Sequence, residues 1–179
     1  MTGAYKILPH YTYDEYVKWE GKWELIDGIP HAMSPMPRPE HQALAGNLHA
    51  EMRAAIKESN CNCTVYQPID YKVTDDTVLN PDLLIVCSPI TKAFLDFAPE
   101  LVVEILSPAT ALKDRHTKFE IYQQQRIPYY LIVDIDKKSV EIFHWKEGSY
   151  QLQNHPEKEP FAFSFSNCSF SVLFASIWS

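Results

Sequence analysis

Leu101-Val102-Val103-Glu104-Ile105-Leu106 is an apolar run broken by one carboxylate and closed by Ser107-Pro108. That is the pattern of a strand buried on both faces, and Tyr129 to Asp134 repeats it further along. Between the two, about Thr110 to Arg126 reads as a helix, which Ile127-Pro128 closes because a residue preceding proline is pushed out of the helical region. Buried strand, helix, buried strand predicts an α/β (α+β) fold: a mixed β-sheet flanked by helices.

Working outward, Thr64 to Val73 and Val78 to Val86 flank the polar Thr74-Asp75-Asp76-Thr77 and read as two antiparallel strands. Leu44, Leu48, Met52, Ala55 and Ile56 recur on one helix face, so Glu40 to Ser59 is predicted helical, with Pro39 near its start. Upstream, Thr12-Tyr13-Asp14-Glu15 has the form of a capping box opening a short helix from Tyr13 to about Glu20. Lys22 to Ile26 and Ile29 to Met33 form a hairpin around Asp27-Gly28, since both central residues of a type I′ turn need positive φ. Ser34 to Pro39 is a proline-stiffened loop. Downstream, Val140 to Trp145 is a strand, and the aromatic tail Phe161 to Trp178 is one more strand plus a short terminal segment.

A chain of 179 residues fits one compact domain, here 1–179, with the tail 160–179 packing on the core or on a partner. No apolar run reaches the ~18 residues of a membrane helix, and the first residues lack a basic, apolar leader. Both point to a cytoplasmic chain with no membrane partner. In that setting Cys61, Cys63, Cys87 and Cys168 are expected to be packing or inert thiols, because a reducing compartment disfavours disulfides. The net charge of −7 argues against tight non-specific DNA binding through a basic face. It is unevenly spread: 61–109 holds seven acids against two bases, and 110–138 six bases against four acids. Converging acids suit a divalent metal, and the neighbouring bases an anionic substrate. Five glycines and no G-x-x-x-x-G-K-[ST], G-x-G-x-x-G or G-x-S-x-G motif exclude phosphate-cradling loops and serine-hydrolase chemistry; no organic cofactor is implied.

Two carboxylates stand where strands disfavour them. Asp82 shares a face with Leu84 and Val86, and Glu104 with Val102 and Leu106. If the strands are neighbours, both carboxylates reach one point, and like charges in a dry cleft need a proton or a metal to join them.

Pro81-Asp82 followed by Glu104 resembles the PD-(D/E)xK nuclease signature. Trp23-Glu24-Leu25-Ile26-Asp27-Gly28, Val103 to Thr110, Asp114-Arg115-His116-Thr117-Lys118 and Ile127 to Asp134 together resemble the Uma-type family of "putative restriction endonucleases", over about 11–146. The resemblance implies a restriction-endonuclease-like core, a divalent metal and hydrolysis of nucleic acid. Where the signature wants a lysine this chain has Leu106; the resemblance implies that the lysine has moved to the following helix, as Lys118. Glu104 and Lys118 each lie about 10–12 Å from the strand–helix turn, at ~3.3 Å per strand residue and ~1.5 Å per helical residue, so they can meet.

The expected site follows. Asp82, Glu104 and the main-chain carbonyl of Ile105 hold magnesium or manganese, Lys118 stabilises charge on the phosphate, and Glu24 is a further metal ligand. His41 and Asp114 support the cluster, Ser107 supports it or only caps the helix, and Gln67 supports it or only satisfies a backbone group. Nucleic acid, DNA before RNA, is the expected partner, and a homodimer is the simplest way for a small nuclease to address two strands. The competing reading is a catalytically silent nuclease-fold module for binding or assembly. A two-carboxylate glycosidase would leave Lys118 without a role.

Overall fold

The computed structural model describes residues 9–33, 37–108, 110–156 and 158–178. The centre of the predicted stiff loop, 34–36, lies outside them. Six strands form the main sheet in the order β10 (Ser149–Leu152), β9 (Ser139–Lys146), β8 (Tyr129–Asp134), β7 (Leu101–Ile105), β6 (Leu83–Val86), β3 (Thr64–Tyr66). β7 and β8 run parallel and every other neighbouring pair antiparallel, so the sheet is mixed as expected. All five residues of β7 are buried, Glu104 included.

One sheet face packs on the long helix α2 (Pro39–Glu58), whose Leu44, Leu48, Met52 and Ile56 meet Leu83, Ile85, Val103 and Leu131. The tail covers the same side, through Phe163, Phe170, Val172, Phe174 and Ile177. It holds two strands where one was expected: β11 (Phe161–Phe165) and β12 (Cys168–Val172) pair as a hairpin before the 3₁₀ turn Phe174–Trp178. Alternation on β12 buries Cys168, Phe170 and Val172 while Ser169 and Ser171 face out, the period-2 signature of a half-buried strand. β10 is a further strand absent from the sequence reading; Glu147 and Gly148, both at positive φ, make the turn that returns it on β9.

The opposite face packs on the helical stretch after β7, with Tyr122, Ile127, Tyr130 and Ile132 buried together. Expected as one helix, this stretch is α3 (Ala111–Lys113), a π turn (Asp114–Lys118) and α4 (Phe119–Gln124).

A second sheet has the order β2 (Ile29–Ala32), β1 (Trp23–Ile26), β5 (Val78–Leu79), β4 (Tyr71–Lys72). The two long strands read from 64–73 and 78–86 are thus each broken, and their halves join different sheets. Pro68 and Pro81 sit in the breaks, since neither can donate to a ladder. Asp27 and Gly28 do take positive φ, 50° and 73°, in the β1–β2 turn. A Cβ on Gly28 would come within 2.3 Å of the His10 ring, which adds a spatial reason for glycine there. α1 keeps its capping box, with Thr12 N–H donating to Glu15 Oε2 at 2.9 Å, but spans Tyr13–Tyr16 only. Beyond it Trp19 folds back onto Trp23, whose ring N–H holds Glu20 O at 2.8 Å, so aromatic packing ends the helix early.

The four cysteines correct the expectation of free thiols. Cys63 bonds to Cys87 and Cys61 to Cys168. The fold creates both pairs: with Thr64 opposite Val86 on β3 and β6, the next ladder position sets Cys63 against Cys87. Cys61, just past α2, meets the start of β12, which packs on that helix.

Candidate active site

The Pro81 break puts Asp82 at the foot of β6, at the seam between the two sheets. Leu83 faces Val103 across the antiparallel β6–β7 ladder, which brings Asp82 opposite Glu104. Asp82 Oδ2 accepts the main-chain N–H of Ile105 at 2.8 Å. From the first turn of α2, His41 Nε2 stands 3.3 Å from the same oxygen and 3.2 Å from the carbonyl of Ile105. With an acceptor on each side, that nitrogen carries the proton.

On the other side of Glu104 a lysine is sealed in. Lys118, 2% exposed, places Nζ 2.8 Å from Glu104 Oε1, 2.7 Å from Glu24 Oε1 and 3.5 Å from Asp114 Oδ1. Tyr122 donates its hydroxyl to Glu104 Oε1 at 2.7 Å. Glu24, inward on β1, also binds Lys113 through Oε2 and accepts the main-chain N–H of Asn80 on Oε1 at 3.0 Å. The π turn explains why two lysines and an aspartate share one face: its wider turn aligns residues four and five apart, so Lys113, Asp114 and Lys118 all point inward.

The electrostatics follow from burial and neighbours. Burial lowers the Lys118 pKa, yet Glu104, Glu24 and Asp114 outweigh it and keep the ammonium charged, well above the ordinary lysine value. Burial lifts Glu104 well above the usual carboxylate range; Lys118 opposes this, and Asp114, Asp82 and Glu24 reinforce it. Asp114 is raised by burial against Lys118, and its buried Oδ1 makes no hydrogen bond. Burial would raise Glu24 too, but Lys118 and Lys113 bring it below its ordinary value. Four carboxylates therefore face two lysines and a histidine, a set that is one positive charge short unless one acid is protonated or a cation joins.

For His41, burial favours the neutral form, but hydrogen bonding to Asp82 and its charge win and raise the pKa above 6.5. A histidine pKa raised on folding stabilises fully below the unfolded value, and that contribution fades as pH rises through the folded value. NMR titration of His41 should give a midpoint above 6.5, and Asp82→Asn should lower it. An unchanged midpoint in the variant would mean that Asp82 does not hold the imidazolium.

Of the residues expected from sequence, Asp82, Glu104, Ile105, Lys118, Glu24, Asp114 and His41 come together. Ser107 and Gln67 do not. The Ser107 carbonyl accepts the N–H groups of Thr110 and Ala111 and its hydroxyl meets Thr110 Oγ1 at 3.0 Å, so it caps the helix entry. Gln67 is exposed in the break after β3. Lys113 and Tyr122 were not foreseen as site residues. Tyr122 lies four past Lys118, a spacing that could have suggested it; Lys113 lies five before, which only a π turn brings to the same side.

Among the described residues no three His, Cys, Asp or Glu side chains are arranged to hold a metal ion. Two hard oxygens, Asp82 Oδ2 and the Ile105 carbonyl, do face one point, taken up by the His41 N–H, and suit a hard cation; Glu104, whose Oε1 is held by Lys118 and Tyr122, would have to turn its other oxygen there to complete the set.

Residues 13–166 match the Uma2 family, described as "Putative restriction endonuclease". The chain is 26% identical over 172 residues to the uncharacterized protein slr1290 of Synechocystis, covering 89% of this chain and 90% of that one. It is also similar to the crystal structure of "a putative nuclease belonging to DUF820" from Anabaena variabilis, with a TM-score of 0.73 at 16% identity over 93% of this chain and 97% of that one. The mixed sheet with its few helices is thus the fold of that nuclease-like structure.

Proposed function

We propose, from the premise that this chain belongs to the Uma2 family, that it is a magnesium- or manganese-dependent nuclease hydrolysing phosphodiester bonds, of DNA before RNA. The observation that carries this reading is a lysine sealed among three carboxylates beside an aspartate and a main-chain carbonyl that share the His41 N–H, at the seam of two sheets. Charges so placed cost several kcal/mol to bury, so such a cluster persists where it serves a site.

Asp82, Glu104 and the Ile105 carbonyl would hold the metal, which when bound supplies Lewis-acid polarisation of the phosphate and offsets the repulsion between an acidic protein and a polyanion. Lys118, whose ammonium is enclosed by Glu104, Glu24 and Asp114, would exchange one of those partners for a phosphoryl oxygen as negative charge builds there. Glu24, both oxygens occupied, anchors Lys113 and Lys118, a different role from that of metal ligand. Tyr122 fixes the rotamer of Glu104, and His41 neutralises Asp82 until a cation takes its place. A homodimer would let so small a chain address both strands.

Calorimetric titration of manganese into the wild type should give saturable binding that disappears in the Asp82→Ala/Glu104→Gln double variant. Equal heats from both proteins would place any bound metal elsewhere. One observation favours the silent-module reading: Glu104 and Glu24 already have lysine partners, so the cluster is nearly satisfied without metal. In that case the double variant would lose stability and no metal affinity.

A further inference from the structure

Beside the cluster lies a cleft of about 390 Å³, within the ~300–1,000 Å³ of small-ligand sites, lined by Tyr16, Trp19, Lys22, Trp23, Asp70 and Asn80 among others. We propose that it is a nucleobase subsite, which takes the base of a nucleotide flanking the scissile phosphate. The proposal rests on the nuclease reading and adds to it a contact with an unpaired base.

Three features match this occupant. The walls are aromatic: Tyr16 and Trp19 meet at 5.6 Å and 66°, Trp19 and Trp23 at 5.8 Å and 67°. Tyr13 stacks on one face of Tyr16 at 6.0 Å and 26°, so the half-buried Trp19 and Trp23 are the rings this proposal assigns to a flat ligand, and every base has a π-face to offer them. The floor is rich in acceptors: Tyr16 Oη at 2.9 Å and Asn80 Nδ2 at 2.8 Å both donate to Oδ1 of Asp70, and the second Asp70 oxygen and the Asn80 amide oxygen are the acceptors this proposal assigns to incoming donors. The amino groups of adenine and cytosine and the amino and imino N–H groups of guanine are such donors, whereas a phosphate is not. The rim carries a cation, exposed Lys22, suited to the adjoining phosphate.

The cleft also lies where a substrate must pass. Asn80 is common to both places: its side chain binds Asp70 in the cleft, while its main-chain N–H binds Glu24 in the lysine cluster. Asp82 follows two residues later. A nucleotide seated in the cleft would therefore have its neighbouring phosphate directed at the half-buried Asp82, at the edge of the lysine cluster.

The test uses the full chain in a Glu104→Gln background with magnesium, so that binding is read without cleavage, and a fluorescently labelled single-stranded 12-mer followed by anisotropy. Trp19→Ala should weaken binding about tenfold or more, the usual loss for one stacked base, and Trp19→Phe should retain most of the affinity. An oligonucleotide with abasic sites should bind the parent about as weakly as the intact one binds Trp19→Ala. Circular dichroism checks that the variants fold, and Asp70→Asn serves in place of Trp19→Ala if that one does not. If parent, Trp19→Ala and Asp70→Asn all bind equally tightly, the subsite is refuted and the nuclease reading stands. If neither the parent nor the wild-type chain binds single-stranded or duplex DNA or RNA, both fall.

Discussion

Lys118→Met should lower the proposed phosphodiester hydrolysis by about 10²–10³-fold and destabilise the folded chain by about 3–5 kcal/mol. On the proposed reading the first effect is the loss of the ammonium that would meet the charge developing on the phosphoryl oxygens. The second is the cost of leaving Glu24, Glu104 and Asp114 facing one another with only Lys113 nearby. Methionine preserves the volume, so packing contributes little to either loss. The pH dependence separates charge from packing. Without Lys118 the buried carboxylates hold protons more tightly folded than unfolded, so the variant's stability rises as pH falls from about 7 towards 5. Urea denaturation at two pH values reads this directly. A variant equally destabilised at both would place the fault in packing, and one with full activity would remove Lys118 from the chemistry.

Reduction of the two disulfides is the second large effect. Cys61–Cys168 closes 107 residues of chain and Cys63–Cys87 closes 24. By the chain-entropy estimate the first is worth about 4–5 kcal/mol and the second about 3 kcal/mol, less if the reduced chain keeps residual structure. Dithiothreitol should therefore lower the urea midpoint sharply. Cys61→Ser/Cys168→Ser should show the larger part of the loss, because that pair ties the C-terminal hairpin to the end of α2. Thiol titration of the unreduced, denatured protein should find no free thiol. Four reactive thiols and a midpoint indifferent to reductant would restore the reading of unpaired cysteines. The same titration on protein quenched inside cells tells where the chain works, since stable pairs belong to oxidising compartments.

What the sequence made legible was local or periodic. Leu101–Leu106 reads as a buried strand because nothing but Glu104 interrupts it, and α2 because its apolar residues keep one face from Leu44 to Ile56. The convergence of Asp82 and Glu104 followed from alternation alone, given neighbouring strands. Lys118 came within reach of its partner Glu104 from rise per residue, but its second close partner, Glu24, and the neighbouring Lys113 did not. Glu24 arrives from another sheet and Lys113 through a π turn, and no composition marks either in advance. The cysteine pairs were illegible for the same reason: each joins elements whose adjacency exists only after folding. Pro68 and Pro81 were visible, yet their effect, sending one predicted hairpin into two sheets, depended on β1 being there to receive β5.

The measurement that bears most directly on the proposed chemistry is hydrolysis of end-labelled duplex and single-stranded DNA and RNA, with magnesium or manganese and with chelator, by the wild type and by Glu104→Gln. Metal-dependent cleavage by the wild type, abolished by chelator and absent from a folded Glu104→Gln variant, is the expected result. Cleavage unaffected by the substitution, or nucleic acid bound by both proteins and cut by neither, would contradict it.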